Sequence, residues 1–181
     1  MRIISGKFRR KSIFPPKNFR ARPTTDVAKE SLFNIIENNF DIESVKVLDL
    51  FGGTGSISFE FASRDCPQIT CIELNFHHFN FIKNTAKELK IEHQLSVIKT
   101  NAFTFLNYVT EPYDIIFADP PYDLKELPLL PDLIFSKNIL LPDGIFILEH
   151  SKNYNFSEHN HFRYLKTYGS VNFSFFGNLD E

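Results

Sequence analysis

Tryptophan is absent from this chain and cysteine occurs only twice. Cys66 and Cys71 are too few for a disulfide framework, and no metal-ligand spacing completes them. Both are expected to be reduced, ordinary small residues in strand-like sequence. No apolar run approaches the ~20 residues a membrane helix requires. The opening MRIISGKFRRKS carries basic residues without a following apolar stretch, so it does not read as a signal peptide. Internal repeats, linkers and low-complexity segments are missing as well. These absences lead to the expectation of a soluble, cytoplasmic protein that makes no membrane contact.

What is present is enough for one globular domain. The 181 residues are 43% apolar, and a chain of this size buries roughly 70% of its unfolded surface. Phenylalanine is abundant at 21 residues, a compositional bias with no function attached. The net charge of −2 hides a split. Residues 1–29 carry Arg2, Lys7, Arg9, Arg10, Lys11, Lys17, Arg20, Arg22 and Lys29 against Asp26 alone, which leaves the remainder strongly acidic. Such asymmetry points to a polyanion-facing arm on an acidic body, against the plainer reading of a solvated basic terminus.

The first short β-prone runs, around Ser5-Gly6-Lys7, read as a small hairpin. Thr24-Thr25-Asp26 is a helix-start signal, and Ala28, Leu32, Ile35, Ile36 and Phe40 then share a helical face. From residue 45 strand and helix alternate. VKVLDLF, QITCIEL, QLSVIKT, YDIIFA and GIFILEH read as strands. SISFEFASR, a segment with Phe76, Phe79, Ile82, Ala86 and Leu89 on its buried face, AFTFLNYV, and the Pro-interrupted LKELPLLPDLIFSKNI read as the intervening helices. Strands this apolar belong to a parallel sheet covered on both faces. HFRYLKTYG and SVNFSFFG, turning at Gly169-Ser170, break the alternation as an antiparallel hairpin and bring the strand count to seven.

DLFGGTGS (49–56) follows the first strand and opens a helix, so its glycines let a ligand approach backbone and helix amides. A dinucleotide fingerprint would put a third glycine where Ser58 stands, and no Gly-Lys-Ser/Thr follows for a phosphate loop. Asp49 sits at the loop's leading edge, and Glu73 ends the second strand at the spacing that suits a ribose diol. Acids at both places favour a ligand with ribose and positive charge but no phosphate, a description that S-adenosylmethionine meets. Asn101, ending the third strand, is placed to accept from an adenine amine. Phe103 can cover that ring or simply pack in the core.

The fourth strand ends in Asp119-Pro120-Pro121-Tyr122, beside the glycine loop across the switch point of the sheet. An exocyclic amine on a nucleobase is a poor nucleophile because its lone pair is conjugated into the ring. Two acceptors that hold its hydrogens turn the lone pair towards an electrophilic methyl. The Asp119 carboxylate supplies one acceptor and the Pro120 carbonyl the other. Tyr122 can stack on the base, worth ~1–3 kcal/mol, once the base is single-stranded or extruded. This chemistry calls for no metal and no covalent nucleophile.

The segments RIISGKFRRK, RPTTDVAKESLFN, DLFGGTGSISFEFASR, IEL, DPPY and YGSVNFSFF together resemble the RsmD-type 16S rRNA (guanine-N2)-methyltransferase family over almost the whole chain. The resemblance implies a Rossmann-like class I S-adenosylmethionine-dependent methyltransferase fold in one domain, with residues 1–24 as a basic arm for RNA and 25–181 as catalytic core. It implies cofactor contacts at Asp49, Phe51, Gly53, Gly55, Glu73, Asn101 and Phe103, and target-amine contacts at Asp119, Pro120 and Tyr122. Arg2, Lys7, Arg9, Arg10, Lys11, Arg20, Arg22, Thr24 and Thr25 are the implied RNA-binding residues. The implied substrate is 16S rRNA, within assembled or partly assembled small subunits, and the implied product of the cofactor is S-adenosylhomocysteine. Nothing calls for more than a monomer. Gly52 stands where alanine is usual, a change expected to be harmless, and Asn75 and Asn101 stand where Asp is common.

Two further readings stay open: amino methylation of DNA, for which the chain leaves little room for a target-recognition domain, and a catalytically silent RNA-binding assembly protein. His159-x-His161 has the spacing of a metal pair but no third ligand, so it reads as a polar loop. His77 and His78 begin a helix and are expected at the surface. Glu149-His150, ending the fifth strand, has no chemistry assigned from sequence.

Overall fold

The computed structural model describes residues 1–16, 19 and 25–178. Seven strands form one sheet: β1 (Lys46–Asp49), β2 (Gln68–Ile72), β3 (Leu95–Ile98), β4 (Tyr113–Ala118), β5 (Leu140–His150), β6 (Phe162–Tyr168) and β7 (Val171–Gly177). Their order is β3-β2-β1-β4-β5-β7-β6. β1 to β5 run parallel, while β7 lies antiparallel between β5 and β6. Five α-helices cover it: α1 (Asp26–Asn39), α2 (Ser56–Ser63), α3 (Phe76–Leu89), α4 (Ala102–Tyr108) and α5 (Leu130–Ser136). The expected parallel sheet with its closing hairpin is therefore observed.

Alternation along the central strands sends successive side chains into two separate cores. Val47, Ile115 and Phe117 face α1, α2 and α3, where they meet Leu32, Phe33, Phe59 and Ile82. Leu48, Ile116 and Ala118 face α4 and α5 and meet Phe105, Leu106, Leu130 and Ile134. Each of the large side chains among these, Ala118 aside, stabilises the fold by about 1.5–3 kcal/mol on burial, and a one-residue slip in any central strand would exchange the two sets. β1 has β2 on one side and β4 on the other, so the crossover that passes β3 returns to the far side of β1. A crevice therefore opens at the carboxyl ends of β1 and β4.

The N-terminal hairpin takes a reduced form. One antiparallel bridge joins Arg2 and Ser12, and the Ile3 amide donates to the Lys11 carbonyl at 3.0 Å. The turn between them docks on α2: the Lys7 amide donates to the Ser63 carbonyl at 2.7 Å and the Ser63 hydroxyl donates to the Ser5 carbonyl at 2.6 Å. A side chain at Gly6 (φ +77°) would lie 1.9 Å from the Ser63 oxygen, so only glycine permits this approach.

Three sequence expectations change. Lys29, counted with the basic arm, is 1% exposed in α1 and belongs to a buried ion cluster with Glu60, 3.4 Å away. Phe76, placed on the buried face of α3, is 56% exposed, because as the first residue of its helix it precedes the turn that meets the sheet. The Pro-interrupted segment forms a 3₁₀ turn at Leu127–Leu129 followed by the short α5.

Candidate active site

The crevice widens into a cavity of about 830 Å³ lined by the glycine loop, the ends of β2 and β3, the Asp119-to-Leu124 turn and Glu149. Gly53 and Gly55 have φ of +54° and +77°, a left-handed pair that only glycine adopts cheaply. Gly53 lines the cavity; Gly55 does not, and instead turns the chain into α2 as its N-cap. Glu73 fastens the loop: its Oε2 accepts from the Gly53 amide at 2.7 Å and its Oε1 from the Asn75 amide at 2.7 Å. Each oxygen keeps a second lone pair for a ligand.

Asp49 is 1% exposed and lines the cavity. Its Oδ2 accepts from the Ser58 hydroxyl at 2.7 Å, so the slot that lacks a third glycine holds the residue that orients the acid. Its Oδ1 has no hydrogen-bond partner among the described residues. Burial pushes the Asp49 carboxyl up to about 6, with the Ser58 bond opposing the rise. An orphaned buried acceptor of this kind is a place for a donor that the protein does not itself supply.

Asn101 departs from expectation. Its Oδ1 caps α4, accepting from the Phe103 and Thr104 amides at 2.9 and 3.2 Å. Both lone pairs of that oxygen are thus engaged, and the group left for the cavity is the amide N–H pair, a donor where an acceptor for an adenine amine was expected. Asn75 repeats the arrangement on α3, accepting from the His77 and His78 amides. Asparagine in place of aspartate keeps each cap and removes a charge. Phe51 and Phe103 are half-buried walls of the cavity. A Cβ at Gly52 would sit 2.6 Å from Cys71 Sγ, so glycine fits beside the buried sulfur. Both cysteines are buried and free, and burial raises both thiols.

On the opposite wall Asp119 lies one residue past the pair Ala118–Leu148 of β4 and β5, which brings it beside Glu149. Its carboxyl is raised well above the ordinary range by loss of solvent, then by the charges of Glu149 and Asp49. Among the described residues no donor engages the Pro120 carbonyl. The Tyr122 phenol donates to Glu149 Oε1 at 3.1 Å, and the Tyr154 phenol donates to the Tyr122 carbonyl at 3.2 Å.

Sequence reasoning named both walls of this cavity and missed what holds them: Ser58, Glu149 and the docked N-terminal turn. Of the basic residues, Arg2 pairs with Asp26 at 3.0 Å and Lys7 with Asp65 at 2.7 Å. Arg9, Arg10 and Lys11 are exposed. Thr25 caps α1, accepting from the Ala28 amide, and does not line the cavity. Lys17, Arg20, Arg22 and Thr24 lie outside the described residues. His77 is exposed, whereas His78 is half-buried on the cavity wall against the Phe19 ring, 4.2 Å between centroids. His159 bonds Asp132 at 3.1 Å and His161 stacks on Phe135; among the described residues no His, Cys, Asp and Glu group could hold a metal ion.

A doubly covered sheet of this order, with a glycine loop and an acid after β2 facing an Asp-Pro-Pro-Tyr turn after β4, defines a Rossmann-like class I methyltransferase. The solved structures agree. An Escherichia coli protein, yhhF, described as a candidate methyltransferase, superposes with a TM-score of 0.84 at 27% identity, covering 97% of this chain and 96% of its own. A Haemophilus influenzae candidate methylase, HI0767, gives 0.81 at 29% identity, with 99% and 98% covered. The family model described as "Conserved hypothetical protein 95" matches residues 1–177. "Ribosomal RNA small subunit methyltransferase D" of Buchnera aphidicola (Baizongia pistaciae) is 33% identical over 86% of this chain and 78% of its own; the Haemophilus influenzae protein of that name is 31% identical over 84% and 80%. The chain belongs to the ribosomal RNA small subunit methyltransferase D, or RsmD, family.

Proposed function

We propose that this protein transfers a methyl group from S-adenosylmethionine to the exocyclic N2 amine of a guanine in 16S rRNA, acting as a cytoplasmic monomer on assembled or partly assembled small subunits. The observation that carries this reading is the pairing, across one cavity, of a buried Asp49 oxygen and the Pro120 carbonyl beside Asp119, neither engaged by a donor among the described residues. The first wall suits a ligand that brings donors and positive charge, and the acids there repel phosphate. The second wall suits an amine held by two acceptors.

When bound, S-adenosylmethionine supplies an electrophilic methyl on a sulfonium. The chain's own residues do the rest. Asp49 offers its free oxygen to the cofactor's ammonium end, and the spare lone pairs of Glu73 accept from the ribose diol. Asn101 donates from its amide to a ring nitrogen of the adenine, and Phe103 covers the ring. Asp119 and the Pro120 carbonyl each accept one hydrogen of the target amine, which turns its lone pair out of conjugation. Tyr122 stacks on the base, and the cavity walls exclude water. Rate comes from position and fixed charge rather than from covalent chemistry. Burial raises the carboxyls of Asp49 and Asp119, and a cation bound beside them favours their ionised forms. Guanine as the base, and its N2 as the atom, rest on membership of the RsmD family.

The test supplies labelled S-adenosylmethionine to small subunits, naked 16S rRNA and DNA. Label in rRNA, with small subunits the better substrate, is expected. Asp119→Ala removes one acceptor and lowers the rate by about 10²–10³-fold, the loss typical of one preorganised partner. Label in DNA, or an Asp119→Ala enzyme as fast as wild type, overturns the reading.

A further inference from the structure

Glu149 is a buried acid that the mechanism above leaves without a task. It is 4% exposed, yet it contributes to the cavity wall. One group that meets it is a phenol: Tyr122 donates to Oε1 at 3.1 Å. The Glu149 charge is one of those that raise the Asp119 carboxyl. Across β7 its register partner is Phe173, an apolar residue. The adjacent His150 turns away, with its Nε2 on the Ser174 hydroxyl at 2.7 Å and its Nδ1 on the Ser151 carbonyl.

Tyr122 follows two prolines in a turn outside any helix or strand. The ring is pinned from both ends. Tyr154 holds its carbonyl at 3.2 Å, and Glu149, on the rigid terminus of β5, holds its hydroxyl. A stacking surface held at hydroxyl and backbone loses rotation before the base arrives, so less ordering is needed on binding.

We propose that Glu149 is a positioning residue of the target-base site, which fixes the Tyr122 ring, through its phenol, in the orientation that stacks the flipped base. The proposal rests on the assignment of Asp119, Pro120 and Tyr122 to the target amine. In this role Glu149 acts through the ring.

The test compares Glu149→Ala, Glu149→Gln, Tyr122→Phe and the double variant Glu149→Ala/Tyr122→Phe, with Asp119→Ala as control. Three quantities are measured: methyl transfer to unmethylated small subunits, calorimetric binding of S-adenosylhomocysteine, and affinity for the subunits with that product bound. Losing a hydrogen bond to a charged group lowers methyl transfer by about 10–100-fold in Glu149→Ala. Tyr122→Phe, which keeps the ring and loses the hydroxyl, falls in the same range, and the double variant falls no further than either alone. Glu149→Gln retains an acceptor for the phenol and recovers most of the loss. Subunit affinity weakens with activity, while S-adenosylhomocysteine binding stays within about 2-fold of wild type, since Glu149 lies on the base side. Multiplying losses in the double variant overturn the inference, as does a Glu149→Ala enzyme at wild-type rate while Asp119→Ala is slow. Wild-type speed in Asp119→Ala instead fails the functional reading itself. If Glu149→Ala does not fold, Tyr122→Phe and Glu149→Gln carry the comparison: a Tyr122→Phe enzyme at wild-type rate and subunit affinity sinks the proposal.

Discussion

Glu60 and Asp49 are both all but fully buried, at 0% and 1% exposure, and they stand in opposite electrical surroundings. Glu60, in the middle of α2, is fully provided for. Arg64 donates from Nε and a terminal nitrogen at 3.2 and 2.9 Å, Lys29 stands 3.4 Å away, and the Ile4 and Ser5 amides donate at 2.9 and 3.0 Å. Arg64 continues the chain to Glu37. Asp49 has one hydroxyl, one oxygen without a partner among the described residues and a second acid near it on the cavity wall, Asp119. A buried charge with all its partners is a structural joint; a group of buried acids with few partners is a receptor whose partners arrive from outside. The joint serves the receptor, because Glu60 and Ser63 bolt the basic N-terminal turn to the helix that the glycine loop opens.

Breaking the joint has the largest expected effect. Glu60→Ala strands Lys29, whose ammonium is already disfavoured by burial and sustained by Glu60, and leaves two backbone amides unpaired. Breaking a buried pair from one side costs about 3–5 kcal/mol, or a Tm roughly 6–20 °C lower for a domain of this length. Asp119→Ala does the reverse in the absence of ligand: it removes a desolvated acid from beside two others, so Tm is equal or higher while activity collapses. A thermal scan of the two variants decides the contrast, and a Glu60→Ala protein as stable as wild type would erase it.

Acid titration sharpens the comparison on the receptor side. Asp49 titrates at about 6 in the fold against an ordinary value near 3.8. A raised carboxyl pKa means that the folded state holds its proton longer than the unfolded one. Stability from this group is therefore present below about 3.8, is lost as pH rises from there to 6, and stays lost above. The loss amounts to roughly 3 kcal/mol across that window. Asp49→Asn removes the dependence, so the variant without cofactor gains stability over wild type as pH rises from 4 to 7. In the proposed contact with the cofactor's ammonium, the ionised acid is the binding form. Cofactor affinity for wild type is about tenfold weaker at pH 5 than at pH 7 by calorimetry, and Asp49→Asn flattens that slope. A wild-type affinity level across the range would detach Asp49 from the cofactor.

The receptor was legible in the sequence and the joint was not, for physical reasons. Asp119 directly precedes Pro120 and Asp49 ends its strand just before the glycine loop, so the punctuation that stops each strand also marks the acid, while Glu73 is marked by its spacing of 20 residues from Gly53. Glu60 has no such punctuation; its only sign is a lone charge in the apolar helix SISFEFAS, and its partners come from residues 4, 5, 29 and 64. Lys29 was read as part of a basic arm because linear charge counting does not see that it sits on the buried face with Ala28 and Leu32. Asn101 was assigned an acceptor role because its residue type allows one, and only the cap on α4 shows the oxygen already taken. Nothing in the linear sequence shows that Cys71, a strand away, occupies the space a Cβ at Gly52 would need. Neighbours in sequence determine where a chain stops; neighbours in space determine what a side chain has left to give.

The smallest expected effect lies where the joint meets the substrate. Docking against Ser63 leaves Arg9, Arg10 and Lys11 exposed on the turn with no ion pair among the described residues, whereas Arg2 and Lys7 are tied to Asp26 and Asp65. Only the untied group is free to release counterions from RNA. Replacing Arg9, Arg10 and Lys11 by alanine should weaken RNA binding uniformly across sequences and flatten log K against log salt by about 0.7 for each side chain lost. Alanine at Arg2 or Lys7 should change that slope by less, because each already spends its charge inside the protein. Binding titrations over a range of salt concentrations, run at constant pH, separate the two sets. Equal slopes for both would mean that the internal pairs open on RNA, and that the joint holds the turn by Glu60 and Ser63 alone.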